Sequence, residues 1–133
     1  MRRSLWIAAV TAVVWAVVRP FRAEVAGHSM APALLPGDWV VGTRASLLRR
    51  GDVVVLRSPD GSRDLIKRVV AIPGDVVGER RLESGEYLVA GDNRAHSTDG
   101  RTFGPVGRGA IEGVIRFRYW PRPGVIRSRV MRR

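Results

Sequence analysis

One lysine stands among 22 arginines, and it is Lys67. The difference is chemical, because a guanidinium stays protonated in proteins whereas a buried ammonium can lose its proton near neutrality and serve as a base. Lys67 lies in Asp64-Leu65-Ile66-Lys67-Arg68-Val69-Val70. Strand alternation sends Leu65, Lys67 and Val69 to one face and Ile66, Arg68 and Val70 to the other. Apolar neighbours on its own face disfavour the charged amine. The competing reading is a lysine whose stem packs while its charge reaches water.

A partner for such a base is Ser29, within Gly27-His28-Ser29-Met30-Ala31-Pro32. Gly27 allows unusual backbone angles and close approach of another chain, so Ser29 can stand there as an exposed nucleophile. Taken alone, a serine near a glycine is an ordinary turn residue. A third polar stretch runs from Gly91 through Asp92, Asn93, Arg94, Ala95, His96, Ser97, Thr98, Asp99 and Gly100 to Arg101. It reads as a surface loop of Asx-turns, or as a buttress with Ser97 as hydrogen-bond partner and Asp99 paired to Arg101. Histidine is the weaker base: His28 adjoins Ser29, so their side chains point apart in extended backbone, although His96 can approach. There is no cysteine, and no His/Asp/Glu cluster has metal-ligand spacing. Neither a metal nor another cofactor is expected.

The elements that position these residues follow from pattern. Ser4 to Val18 is uncharged and apolar all round, between Arg2-Arg3 and Arg19-Pro20. Fifteen helical residues span about 22 Å against a hydrocarbon core of about 30 Å. Flanking arginines can snorkel, and Trp6 and Trp15 suit the interface, so residues 1–20 are expected to form a short membrane anchor. A cleaved leader fits poorly, since cutting after Ala23 or Ala26 puts Phe21 or Glu24 at −3. A buried core helix is the other alternative. Beyond it, β-rich runs at Trp39–Val41, Val53–Arg57, Leu65–Ile72, Tyr87–Ala90 and Val114–Tyr119 alternate with turns such as Pro36-Gly37-Asp38 and Pro73-Gly74-Asp75. Residues 21–121 are therefore expected to form a mainly β, folded or barrel-like antiparallel sheet, and residues 122–133 a loosely ordered basic tail.

With 45% hydrophobic residues the chain can bury a core, and its formal charge of +11 is read either as a basic, solvated surface or as a match for anionic lipid or nucleic acid. The arginines are scattered and the aromatics few, which argues against a specific nucleic-acid reader and leaves a basic lipid- or nucleic-acid-binding module as the reading from another class.

Together the three polar segments resemble the type I signal peptidase family of Ser/Lys peptidases. The family's Ser-Met-x-Pro-Thr-Leu box corresponds to Ser29-Met30-Ala31-Pro32-Ala33-Leu34, its lysine box to Ile66-Lys67-Arg68-Val69 followed by Pro73-Gly74-Asp75, and its third box to Gly91 through Arg101. The resemblance implies Ser29 as nucleophile, Lys67 as general base and Ser97 as the residue orienting the lysine. Arg68 with Asp92, and Asp99 with Arg101, are implied as supporting ion pairs. Ala33 and Gly100 replace the family's threonine and serine. Gly27 stands where some members carry a serine that helps hold the oxyanion, so here backbone N–H groups must do so. The span from Val76 to Gly85 leaves no room for the inserted β-domain of larger members. The implied activity is removal of signal peptides with small residues at −3 and −1 from exported preproteins. The implied location is the cell membrane, single-pass, with the catalytic domain outside the cytoplasm. A maturation peptidase dedicated to one substrate shares all these features.

Overall fold

Val53-Val54-Val55-Leu56 is an unbroken run of branched apolar residues, and all four are buried. Such a run forms a strand covered on both faces. In the computed structural model, which describes residues 1–44, 47–96 and 103–129, it is the centre of an antiparallel sheet. The strands are β1 (Pro20–Glu24), β2 (Trp39–Thr43), β3 (Val53–Arg57), β4 (Asp64–Ala71), β5 (Val76–Val77), β6 (Arg80–Arg81), β7 (Glu86–Ala90), β8 (Val106–Gly107), β9 (Ile111–Trp120) and β10 (Gly124–Val125). The main sheet runs β1-β2-β9-β3-β4-β7-β8 with β10 on β9, and β5-β6 form a separate hairpin. Among the described residues β1 and β8 are the two ends of this path, so the sheet is folded and not closed by pairing.

Alternation along β3 divides the core in two. Val54 and Leu56 pack with Leu48, Val69, Tyr87, Val89, Val106, Ile111 and Val114. Val53 and Val55 pack with Val25, Met30, Leu34, Val40 and Ile115. Register shifts in the β2–β9, β3–β9 and β4–β7 ladders bend the sheet around these two layers.

One close approach fixes the β1 edge. A Cβ on Gly42 would lie 2.3 Å from the Val114 carbonyl oxygen and 2.7 Å from Phe21 Cζ. On Gly113 it would lie 2.5 Å from Phe21 Cε1 and 2.7 Å from the Thr43 carbonyl oxygen. The two glycines form a seat for the Phe21 ring, as aromatic residues often cover glycines in sheets.

Helix α1 spans Arg2–Val18, and none of its residues is buried. A core helix is thereby excluded. It ends at Arg19 in the left-handed region (φ 47°), whose N–H donates to the Trp15 carbonyl at 2.9 Å. Among the described residues no helix is long and apolar enough to cross a membrane. The first strand begins at Pro20, inside the segment assigned to the anchor. Proline is tolerated there because β1 is an edge strand.

The tail is not loose as far as Arg129. β10 pairs with β9, Ile126 packs against the second core layer, and the Arg129 N–H donates to the Gly51 carbonyl at 3.2 Å. Its arginines suggested a solvated run, but its backbone and one isoleucine carry the contacts.

Candidate active site

Lys67 sits in β4 opposite Val54, a fully buried residue of the central strand, and is itself only 3% exposed. Its neighbour Arg68 is equally buried, at 3%. Arg68 Nε and Nη2 donate to the two oxygens of Asp92, both at 2.8 Å, and Nη1 donates to the Gly51 carbonyl at 2.8 Å and the Arg127 carbonyl at 3.3 Å. The planar fork thus ties β4 to the loop after β7, the turn before β3 and the tail. A lysine there could not make this set.

Ser29 is half-buried, on a turn between β1 and β2. The turn forms because its flanks are drawn into the core: Met30 is 1% exposed and Leu34 0%. The Ala31 N–H donates to the His28 carbonyl at 3.1 Å and the Leu34 N–H to the Met30 carbonyl at 2.9 Å. Further on, the buried Asp38 carboxylate accepts the Leu35 N–H at 2.9 Å and an Arg118 N–H at 3.4 Å. Arg118 also donates to the Ala33 carbonyl at 3.2 Å. Hydrophobic anchors hold the turn from below and hydrogen bonds from the side.

Asn93 joins the third segment to this turn. Its N–H donates to the Ser29 carbonyl at 2.8 Å, and its side-chain amide to the His28 carbonyl at 3.1 Å. Residue type alone did not mark Asn93 for this; the signal present was an Asx residue directly after Asp92. His96, in the same segment, brings its ring to 6.4 Å from that of His28.

These elements enclose one cleft of about 310 Å³, lined by Glu24 to Met30, Arg63 to Lys67, and His96. Gly27, Ser29 and Lys67 all line this cleft, while Arg68 and Asp92 line a different cavity. A Cβ built at Gly27 meets nothing within 4 Å, so space for a side chain exists there. Ser97, Asp99 and Arg101 lie outside the described residues. Among the described residues no group of three or more His, Asp and Glu could hold a metal ion. The side-chain chemistry lining the cleft is the Ser29 hydroxyl, the buried Lys67 amine, the imidazoles of His28 and His96, and at its rim the Glu24 and Asp64 carboxylates and the Arg63 guanidinium. That set suits acyl transfer by a serine nucleophile.

Comparison with known proteins points the same way. Residues 1–81 and 76–120 match the family described as signal peptidase, peptidase S26. The chain is 37% identical over 119 residues to mitochondrial ATP-independent inner membrane protease subunit 1b of Arabidopsis thaliana, covering 76% of this chain and 70% of that protein. It is 37% identical over 112 residues to mitochondrial inner membrane protease subunit 1 of Schizosaccharomyces pombe, covering 73% and 71%. With signal peptidase IB of Staphylococcus aureus the identity is 29% over 154 residues, covering 79% of each. The chain belongs to the signal peptidase S26 family and is a serine peptidase, a hydrolase.

Proposed function

We propose that the protein is a membrane-bound endopeptidase that cleaves signal peptides from exported preproteins through a Ser29/Lys67 dyad. The observation that carries this reading is the shared cleft: the half-exposed hydroxyl of Ser29 and the buried amine of Lys67 line the same small cavity. Burial disfavours the ammonium, which is what a lysine base requires.

In this mechanism the neutral Lys67 amine takes the Ser29 proton as Oγ attacks the scissile carbonyl. The resulting ammonium returns the proton to the leaving amine, and an acyl-enzyme remains. Lys67 then activates water for deacylation. Gly27 offers no hydroxyl, so the oxyanion falls to backbone N–H groups, including that of Ser29. One such donor is worth about 3 kcal/mol in the transition state. By the family resemblance Ser97 is assigned to orient the lysine and Asp99 with Arg101 to a supporting ion pair, while the Arg68–Asp92 pair fixes β4 against the segment after β7. No cofactor takes part. Substrates carry small residues at −3 and −1, read by the cleft's shallow walls.

Helix α1 is assigned to the bilayer. Its exposed faces include Leu5, Trp6, Ile7, Val10, Val13, Trp15 and Val17, and no part of the sheet covers them. Flanking arginines and both tryptophans suit a short, locally thinned crossing in the cell membrane, with the sheet domain on the extracytoplasmic side. Enzyme and substrate then meet in one plane, which raises their effective concentration.

The test is cleavage of an export precursor by detergent-solubilised protein. Ser29→Ala and Lys67→Ala are expected to abolish cleavage. Lys67→Arg keeps the charge but offers no neutral form, and is expected to be inactive too. Wild-type kcat should rise with pH, because the reactive amine is the deprotonated one. Substantial activity in Lys67→Arg removes the base role. Cleavage of several unrelated precursors separates a general enzyme from one dedicated to a single substrate.

A further inference from the structure

Where α1 meets the sheet there is a further cavity of about 550 Å³, which shares no lining residue with the Ser29 cleft. Its walls are of two kinds. Val17, Val18 and Leu47 are apolar, and Val17 and Leu47 are 73% and 67% exposed. Arg44, Arg49 and Arg116 are exposed cations. Among the described residues none of the three is salt-bridged to a carboxylate; Arg116 has only a long 3.5 Å contact with the Thr43 hydroxyl. The acid present, Asp52, is 4% exposed, and its oxygens accept the Arg49 N–H at 2.9 Å and the Ser128 hydroxyl. The junction is held in place, since the Arg44 N–H donates to the Val18 carbonyl at 3.2 Å.

From this arrangement we infer a binding site for an anionic phospholipid, with the phosphate among Arg44, Arg49 and Arg116 and the acyl chains along Val17, Val18 and Leu47. Three uncommitted guanidiniums provide bidentate donors for phosphate oxygens. The adjoining apolar wall runs on into the exposed face of α1. Inorganic phosphate or nucleic acid would leave that wall in water, whereas a lipid covers both halves. The proposal rests on the assignment of α1 to the bilayer, and places the headgroup plane at the level of Arg44 and Arg116.

Trp15, one turn before Val18, supplies the readout in a chain whose other three tryptophans, Trp6, Trp39 and Trp120, are changed to Phe. The full chain is reconstituted in phosphatidylcholine vesicles containing equal mole fractions of brominated phosphatidylcholine or brominated phosphatidylglycerol, and tryptophan quenching is measured. Both lipids are expected to quench, with the anionic one enriched about fivefold at the protein. Arg44→Gln/Arg49→Gln/Arg116→Gln should lose that enrichment, and Arg57→Gln/Arg80→Gln/Arg81→Gln, equal in charge, should keep it. Thermal unfolding checks that both variants fold; if the first does not, Arg116→Gln alone should lower the enrichment. Equal quenching by the two lipids, enrichment surviving in the first variant, or equal loss in both, overturns the site and leaves the membrane assignment standing. Absence of quenching by either lipid overturns both.

Discussion

Asn93 donates its backbone N–H to the carbonyl of Ser29 at 2.8 Å and its side-chain amide to the preceding carbonyl, of His28, at 3.1 Å. Two consecutive peptide units of the Ser29 turn are thus aimed by one residue of another loop. Asn93→Ala removes the side-chain bond and keeps the backbone one. Its expected effect is a loss of about 1 kcal/mol in transition-state positioning, roughly fivefold in kcat, with KM little changed. Asn93→Asp should be worse, because a carboxylate faces a carbonyl. Steady-state kinetics on a precursor, with thermal unfolding as control, decide it. A fall in stability without a selective fall in kcat makes the contact merely structural.

Arg68 and Asp92 form a bidentate pair whose side chains are 4% and 12% exposed. Removing one partner strands the other charge away from water. Arg68→Met or Asp92→Leu should each cost about 3–5 kcal/mol in chemical denaturation, and the double variant much less than their sum. Arg68→Lys should resemble a deletion, since an ammonium cannot match both carboxylate oxygens while reaching the Gly51 and Arg127 carbonyls. Additive losses would mean that the two residues act independently.

Gly113 and Gly42 hold the Phe21 ring at distances no side chain tolerates. Gly113→Ala should destabilise by about 1–3 kcal/mol. Adding Phe21→Ala should not rescue it, because the Thr43 carbonyl oxygen also lies 2.7 Å from the new methyl. Full rescue in the double variant would show that backbone contact is irrelevant.

Asp60 occupies the turn joining β3 to the strand that carries Lys67. Hydrogen bonds from the Ser58 and Ser62 hydroxyls, then from the Ser62 N–H, hold its carboxyl well below the ordinary carboxylate range. The sign follows directly: a lowered folded-state value gives stability that is present above the unfolded value and lost as pH falls through the folded one. The effect is small because the group is fully exposed to solvent. By NMR, Asp60 should remain ionised at about pH 3, where an unfolded aspartate is mostly protonated. Ser62→Ala should move its titration upward. An ordinary titration in the folded wild type removes this hydroxyl network from the solution structure.

The sequence disclosed chemistry better than geometry. Val53–Arg57 was legible to the residue because uninterrupted branching leaves a buried strand few alternatives. The expected run Trp39–Val41 extends in β2 to Thr43, because Gly42 continues the strand as a seat for a ring 21 residues away. β1 went unread because Pro20, Arg22 and Glu24 dilute its pattern, and an edge strand needs one partner only. In the site, Ser29 and Lys67 stand out by residue type, whereas the Arg68–Asp92 pairing is implied by the family resemblance alone and is present in the fold. The contributions of the Gly51, Arg127 and His28 carbonyls did not, since every residue has a carbonyl and only the fold selects which one faces a donor.

Met30 and Leu34, the side chains that seat the Ser29 turn, belong to the same apolar layer as Val53 and Ile115 of the central strands. The turn has no separate foundation that could soften first. Heat inactivation and loss of the sheet's circular-dichroism signal should therefore trace one curve, with no temperature at which the chain persists intact but idle.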